Sequence, residues 1–322
     1  MPTPFRTLVR GAPLAVAFAS VIGASARAQT ARLTRSDLVV TSDWLATQLK
    51  NPKLVLFHIG EKGEYDAGHI PGARFLQLQD ISSPMTRDTT ALALEMLPAD
   101  QLRQRLEQLG ISDDSRIVVY YAKDWVSPST RVVFTLQYAG LSEHTKLLDG
   151  GMGAWVRAGG ALSKDAASAQ PGKLSALHVE PIVVDREYVR AHLAAPGVAI
   201  VDGRATAYYD GVEVGGAHGQ RDKVGHIKGA HSVPFTEITD ERLMLKSQAE
   251  LQALFDRAGV APGDTVIGYC HIGQQATAML FAARLLGHPV LLYDGSFQDW
   301  SRGDDAPVEA SVARPTPGAG TP

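Results

Sequence analysis

Short apolar, β-branched runs alternate along this chain with stretches whose apolar residues recur every three to four positions, and the alternation is written twice. In the first half the runs cover 54–59, 117–121 and 146–148, and helical spacing covers 41–49, 98–109 and 130–138. In the second half the runs cover 198–202, 266–269 and 290–293, and helical spacing covers 185–193, 247–258 and 275–286. A short apolar run bounded by turn residues predicts a buried strand, and the wider spacing predicts a helix. Strands alternating with helices predict an α/β fold with a mostly parallel sheet covered on both faces. Such a sheet places its ligand sites beyond the C-terminal ends of its strands.

The halves also share motifs. Gly68-His69-Ile70-Pro71-Gly72-Ala73 returns as Gly225-His226-Ile227-Lys228-Gly229-Ala230. Residues 109–121 match 258–270, and Leu148-Asp149-Gly150-Gly151 with Trp155 matches Tyr293-Asp294-Gly295-Ser296 with Trp300. Three matches in one order indicate an internal duplication. The expected units are 33–162 and 179–308, joined by a linker at 163–178 that overlaps the Ala-, Ser-, Gly- and Lys-rich stretch 159–172. Residues 309–322, rich in Pro, Gly and Thr toward their end, are expected to form a disordered tail.

Cys270 is the only cysteine of the chain. It closes an apolar run, and a helical pattern starts a few residues later and stops at Gly287, a natural C-cap. The thiol therefore falls between a strand end and a helix start. Unpaired backbone N–H groups and the helix dipole favour an anion there. A lowered thiol pKa and a nucleophilic role are expected. A lone cysteine is more often a small buried hydrophobe, but this junction, with Gly273 three residues on, tips the reading toward chemistry. Other candidates read as structural. His69 and His226 sit in the motif of both halves, although the first half has no thiol. His218, His226 and His231 match no metal-ligand spacing, and neither a metal nor another cofactor is expected. Asp202 and Arg204 read as an internal ion pair before a substrate contact, and Trp155 and Trp300 as core or interface aromatics.

The N-terminus changes the picture of where this chemistry takes place. Arg6 and Arg10 precede a small-residue apolar stretch, and Ala26-Arg27-Ala28 offers a cleavage site, so 1–28 reads as a secretory signal without twin arginines. Export, to a bacterial periplasm, is expected. The formal net charge is −3, and removing the three signal arginines leaves 28 basic against 34 acidic residues. That balance excludes nucleic acid as an expected partner and gives no reason to bind anionic lipid. A single cysteine allows no internal disulfide, and a free thiol in an oxidising compartment strengthens the case for a chemical role.

Together these motifs resemble the tandem-domain rhodanese family of sulfurtransferases, which includes thiosulfate and 3-mercaptopyruvate sulfurtransferases. The resemblance rests on the Gly-His-Ile-x-Gly-Ala motif in both halves, on Val201-Asp202-Gly203-Arg204 and on the loop from Cys270 to Ala276. It rests also on Tyr293-Asp294-Gly295-Ser296-Phe297-Gln298-Asp299-Trp300. It implies two rhodanese-like domains, each a mostly parallel sheet flanked by helices, with catalysis in the second. The first, with Ala122 at the position matching Cys270, is implied to be inactive and to wall the cleft.

The resemblance further implies that Cys270 takes a sulfane sulfur from a small donor as a persulfide and passes it to cyanide or a thiol. His271, Ile272, Gly273, Gln274, Gln275 and Ala276 would bind substrate and stabilise the persulfide with their N–H groups. Where related enzymes often carry an arginine, this chain reads Ala207-Tyr208-Tyr209. Tyr208, Arg221 with Lys223, Arg204 and His271 are then the candidates for holding the donor. Mercaptopyruvate needs a cationic clamp for its carboxylate, so thiosulfate is the favoured donor and mercaptopyruvate the alternative. The expected partners are a small sulfur donor and acceptor, with a protein sulfur acceptor as a further option and no membrane, and a monomer is expected. A cysteine phosphatase on the same fold is disfavoured, because the loop ends in Gln275, Ala276 and Thr277 without an arginine. A persulfide carrier with little turnover of its own stays open.

Overall fold

Strands buried on both faces leave little room for polar alternation, and the central strands are accordingly near-continuous apolar runs. The computed structural model describes residues 34–84, 91–123, 126–167, 170–216 and 222–312. The signal segment 1–28 lies outside them, and among the described residues no helix is long and apolar enough to cross a membrane. In the first half the strands are β1 (Val39–Val40), β2 (Leu54–Ile59), β3 (Arg74–Phe75), β4 (Arg116–Tyr121) and β5 (Thr145–Leu148). The second half carries β6 (Val183–Val184), β7 (Val198–Asp202), β8 (His226–Ile227), β9 (His231–Ser232), β10 (Thr265–Tyr269), β11 (Val290–Tyr293) and β12 (Val308–Glu309). The two main sheets have the orders β1-β5-β4-β2-β3 and β6-β11-β10-β7-β9, with every pair parallel. Position by position these are the same order, as duplication requires.

The helices of the first half are α1 (Arg35–Leu38), α2 (Ser42–Gln48), α3 (Lys62–Ala67), α4 (Ala99–Gln108), α5 (Ser127–Tyr138) and α6 (Gly151–Arg157). Those of the second are α7 (Arg186–Ala191), α8 (Thr206–Tyr209), α9 (Gln248–Arg257), α10 (Gln275–Leu285) and α11 (Ser296–Trp300). Local chemistry sets their starts. Ser247 and Glu250 form a capping box at α9, and Thr41 accepts the Trp44 N–H at α2. Helix α10 has no polar face, because residues 276–285 are all buried. It packs against α5 of the other half, where the Thr130 and Thr277 hydroxyls meet at 3.0 Å. One apolar core therefore runs through both halves.

The halves also exchange loops. The Met96 N–H donates to Asp294 (2.7 Å), and the Leu245 N–H donates to Asp149 (2.8 Å). Leu94 and Leu243, two residues before each donor, both take a left-handed φ, at 58° and 60°. The stretch read as a linker lies along the first half: Ser163 pairs with His69, Gly172 N–H donates to the Glu107 carbonyl, and Leu174 N–H to the Glu107 carboxylate. The expected tail is corrected at its start, because Glu309 is paired with His226 in the antiparallel β8–β12 ribbon. Residues 313–322 lie outside the described part.

Candidate active site around Cys270

Cys270 follows the last residue of β10, a central strand whose Tyr269 stands opposite Asp202 of β7. Chain connections leave β7 and β10 in opposite directions along the sheet, so the crevice between their ends is a topological switch point. The thiol is fully buried. Between it and α10 the chain makes one tight turn, in which Gly273 has a φ of 80°. A Cβ there would lie 2.9 Å from the Asp294 carbonyl oxygen and 3.0 Å from Nη1 of Arg131, so both conformation and space require glycine. Burial pushes the thiol pKa up, and the backbone N–H groups of Ala276, Ile272 and Gln275, which point at the sulfur, oppose that rise without cancelling it. The expected lowering is corrected: the N–H cradle is there, but desolvation outweighs it.

The turn is held from behind by the segment 293–298. Ser296, itself at a left-handed φ of 51°, accepts the Cys270 N–H at its Oγ (3.2 Å). Phe297 N–H donates to the Cys270 carbonyl (2.9 Å), and Gln298 N–H donates to that of His271 (3.0 Å). The first half reaches in as well. Gln274 donates to Ser127 Oγ (3.2 Å), and Arg131 of α5 donates to the Gly273 carbonyl (3.2 Å), to Asp294 (2.7 Å) and to the Leu94 carbonyl. Sequence reasoning missed Arg131 and Asp294. Asp294 carried a signal, since it sits in a repeated motif; Arg131 carried none, because its carboxylate partner is 163 residues away.

The candidate donor-binding residues part company. Tyr208 stands edge-on to the His271 ring (4.6 Å between centroids), and its hydroxyl is hydrogen-bonded to Glu213, which raises its pKa. His271 Nδ1 lies 3.7 Å from Asp222 Oδ2 and has no hydrogen bond. Arg204 is corrected as a substrate contact: it is buried, chelates Asp202 (2.6 Å at the shortest) and donates to the Gly225 carbonyl. Lys223 is also committed, donating to the Ala306 carbonyl (3.0 Å). Arg221 and His218 lie outside the described residues. His69 and His226 are tied down alike, each stacked on a tyrosine (Tyr65, Tyr209) whose carbonyl meets its Nδ1.

The position matching Cys270 is Tyr121, not Ala122. Tyr120 and Tyr269 correspond, since each hydroxyl accepts the N–H of the isoleucine in its Gly-His-Ile motif, Ile70 or Ile227. The residue after each is then Tyr121 or Cys270. A cleft of about 450 Å³ lies beyond the ends of β2 and β4, and Ile272 and Gln274 of the cysteine turn form part of its wall.

A duplicated parallel α/β unit with one cysteine in an N–H-lined turn at a switch point is an arrangement suited to a thiol nucleophile. The rhodanese-like domain family matches the chain twice, over 41–158 and 185–303, and the chain belongs to that family. It is 31% identical over 277 residues to the thiosulfate sulfurtransferase of Pseudomonas aeruginosa, spanning 84% of this chain and 97% of the relative. It is 31% identical over 284 residues to a protein of that organism named probable 3-mercaptopyruvate sulfurtransferase, with the same coverage. The sulfur carrier protein TtuD of Thermus thermophilus is 28% identical over 285 residues, 84% of this chain and 96% of its own. The anaerobic ergothioneine biosynthesis enzyme of Chlorobium limicola, in complex with trimethyl histidine, shares the fold, with a TM-score of 0.75 at 23% identity over 88% of this chain and 72% of that one.

Proposed function

We propose that the protein is a sulfurtransferase that moves a sulfane sulfur from thiosulfate to a thiophilic acceptor through Cys270. The observation that carries this reading is the thiol set among three backbone N–H groups at the end of a central strand. The Cys270 thiolate, its proton lost to solvent, attacks the outer sulfur of thiosulfate. The sulfur–sulfur bond breaks and sulfite leaves with the electron pair. The resulting persulfide is anionic and keeps the same N–H donors. Cyanide or a thiolate then attacks the outer sulfur, and the Cys270 thiolate is released, in two-step ping-pong fashion.

Thiosulfate is preferred over mercaptopyruvate because, among the described residues, Arg204 and Lys223 are spent inside the fold. A small dianion can rest on N–H donors, whereas a carboxylate substrate gains most from a bidentate cation. The Thermus relative named a sulfur carrier supports a second reading, delivery to a protein acceptor with slow turnover alone. Steady-state assays with thiosulfate and cyanide, run beside mercaptopyruvate, separate these readings. Cys270→Ser is expected to abolish transfer, and intact protein treated with thiosulfate to gain one sulfur atom on the Cys270 peptide. Residual turnover in the serine variant refutes the assignment. Export of the mature chain belongs to the same proposal and is checked by fractionation and N-terminal sequencing.

A further inference from the structure

We propose that Arg131, a residue of the half without a nucleophile, is the positioning residue for the Cys270 turn. The inference rests on the reading of Cys270 as the reacting group. The guanidinium holds the turn from both sides. Directly, it binds the Gly273 carbonyl, the one turn position with a left-handed backbone. Indirectly, it binds Asp294, which leads into Ser296, Phe297 and Gln298, and these three bond to the backbone of Cys270 and His271. Of the N–H groups that face the sulfur, that of Ile272 lies between these two anchor points, and those of Gln275 and Ala276 follow the Gly273 anchor by two and three residues. A shift of the guanidinium therefore shifts the donors around the sulfur.

Arg131 could instead be adhesive between the halves. Two observations argue against that. A buried ion pair is a poor source of net stability, because desolvating both charges offsets most of their attraction; here Arg131 and Asp294 are 1% and 7% exposed, and Nε of Arg131 is buried without a partner. The second is an asymmetry. Thr130 and Thr277 face each other between α5 and α10, which makes Ala278 the counterpart of Arg131. On the Tyr121 side no guanidinium comes from α10. Asp149 is bound there by Arg35 of α1, which is 39% exposed and reaches the Leu245 and Lys246 carbonyls. Adhesion exists at both ends of the interface; the arginine buried against a turn exists where the cysteine is. Other charges around this site are Glu95, its carboxyl pushed up by burial and by Asp294, with Asp299 and Arg302, and Asp202 and Arg204 act on the Cys270 thiol itself.

The test compares Arg131→Met with Arg35→Met in the full-length protein. It reads melting temperature, kcat and KM for thiosulfate, and the pH dependence of Cys270 alkylation by iodoacetamide. Arg131→Met is expected to lower kcat on the order of 10²-fold, the scale of an ångström-sized misplacement. It should also move the alkylation midpoint upward, with a smaller change in KM. Arg35→Met should cost melting temperature and leave kcat and the midpoint unchanged. Arg131→Lys, which keeps the charge and one donor, should recover part of kcat. Should Arg131→Met not fold, Arg131→Lys and Asp294→Asn carry the same readouts. Wild-type kcat and midpoint in the Arg131 variants, whatever their melting temperature, overturn the proposal. A wild-type protein that gains no sulfur on Cys270 refutes the transfer reading separately, and the alkylation comparison still decides the role of Arg131.

Discussion

Burial and backbone hydrogen bonds act on Cys270 in opposite directions, and burial prevails. The resting thiol is therefore mostly protonated at neutral pH. The thiolate that does form is the stronger nucleophile for its higher basicity, since intrinsic reactivity falls as pKa falls. Alkylation of Cys270 is expected to rise with pH through a midpoint above that of an unperturbed cysteine, and a midpoint below it would mean that the N–H cradle dominates. The linkage has a definite sign. The folded pKa is raised, so the unfolded chain ionises first on going alkaline. Stability is lost as pH rises from the ordinary thiol range through the raised value. Cys270→Ser removes that dependence, so the difference in melting temperature between the two proteins should shift toward the variant across that interval. None of this sign was legible in sequence. The strand–turn–helix junction around Cys270 was, but how deeply packing buries the sulfur is a tertiary property.

At the scale of the element, the cysteine turn depends on a conformation and on a space, and the two can be separated. Gly273→Ala places a side chain at a left-handed φ, which costs about 1–3 kcal/mol, and drives its Cβ against the Asp294 carbonyl and Arg131. Gly229→Ala meets a similar φ of 77° with nothing within 4 Å. Both variants should lose stability, seen as a lower denaturant midpoint, and the Gly273 variant alone should also lose transfer activity by about 10²-fold. Equal activity in the two would show that the turn tolerates displacement. The elements themselves were largely legible. Apolar runs over 54–59, 198–202 and 290–293 coincide with β2, β7 and β11, because central strands need no polar face. The two-residue strands β1 and β6 were not, since two residues carry no period, and α5 begins at Ser127, earlier than its apolar spacing suggests.

Over the whole molecule the duplication and its register were both legible from the repeated motifs, since matching 109–121 to 258–270 sets Tyr121 against Cys270. Placing Ala122 there is a slip of one residue against that match, and the shared tyrosine-to-isoleucine bonds correct it. How the halves meet was hidden, because α5 and α10 are buried on nearly all sides and their contact face has no pattern of its own. Arg284 of α10 is an exception within that interface. It is 8% exposed, donates to Gln137 Oε1 (2.6 Å) and Ser142 Oγ (3.0 Å) of the first half, and has neutral partners in both. Burial lowers its pKa to about 10. The guanidinium is still charged at neutral pH in folded and unfolded chains alike, so the desolvation cost, on the order of 3 kcal/mol before its hydrogen bonds are counted, is fully present there. It is relieved only as pH rises above the folded value. Arg284→Met removes the charge and keeps the length of the side chain. The expected result is a melting temperature raised by a few degrees, by about the same amount anywhere from pH 6 to 9, as replacement of a buried charge by an apolar group often gives. A fall of similar size would mean that the bonds to Gln137 and Ser142 outweigh desolvation and help to hold the two halves together.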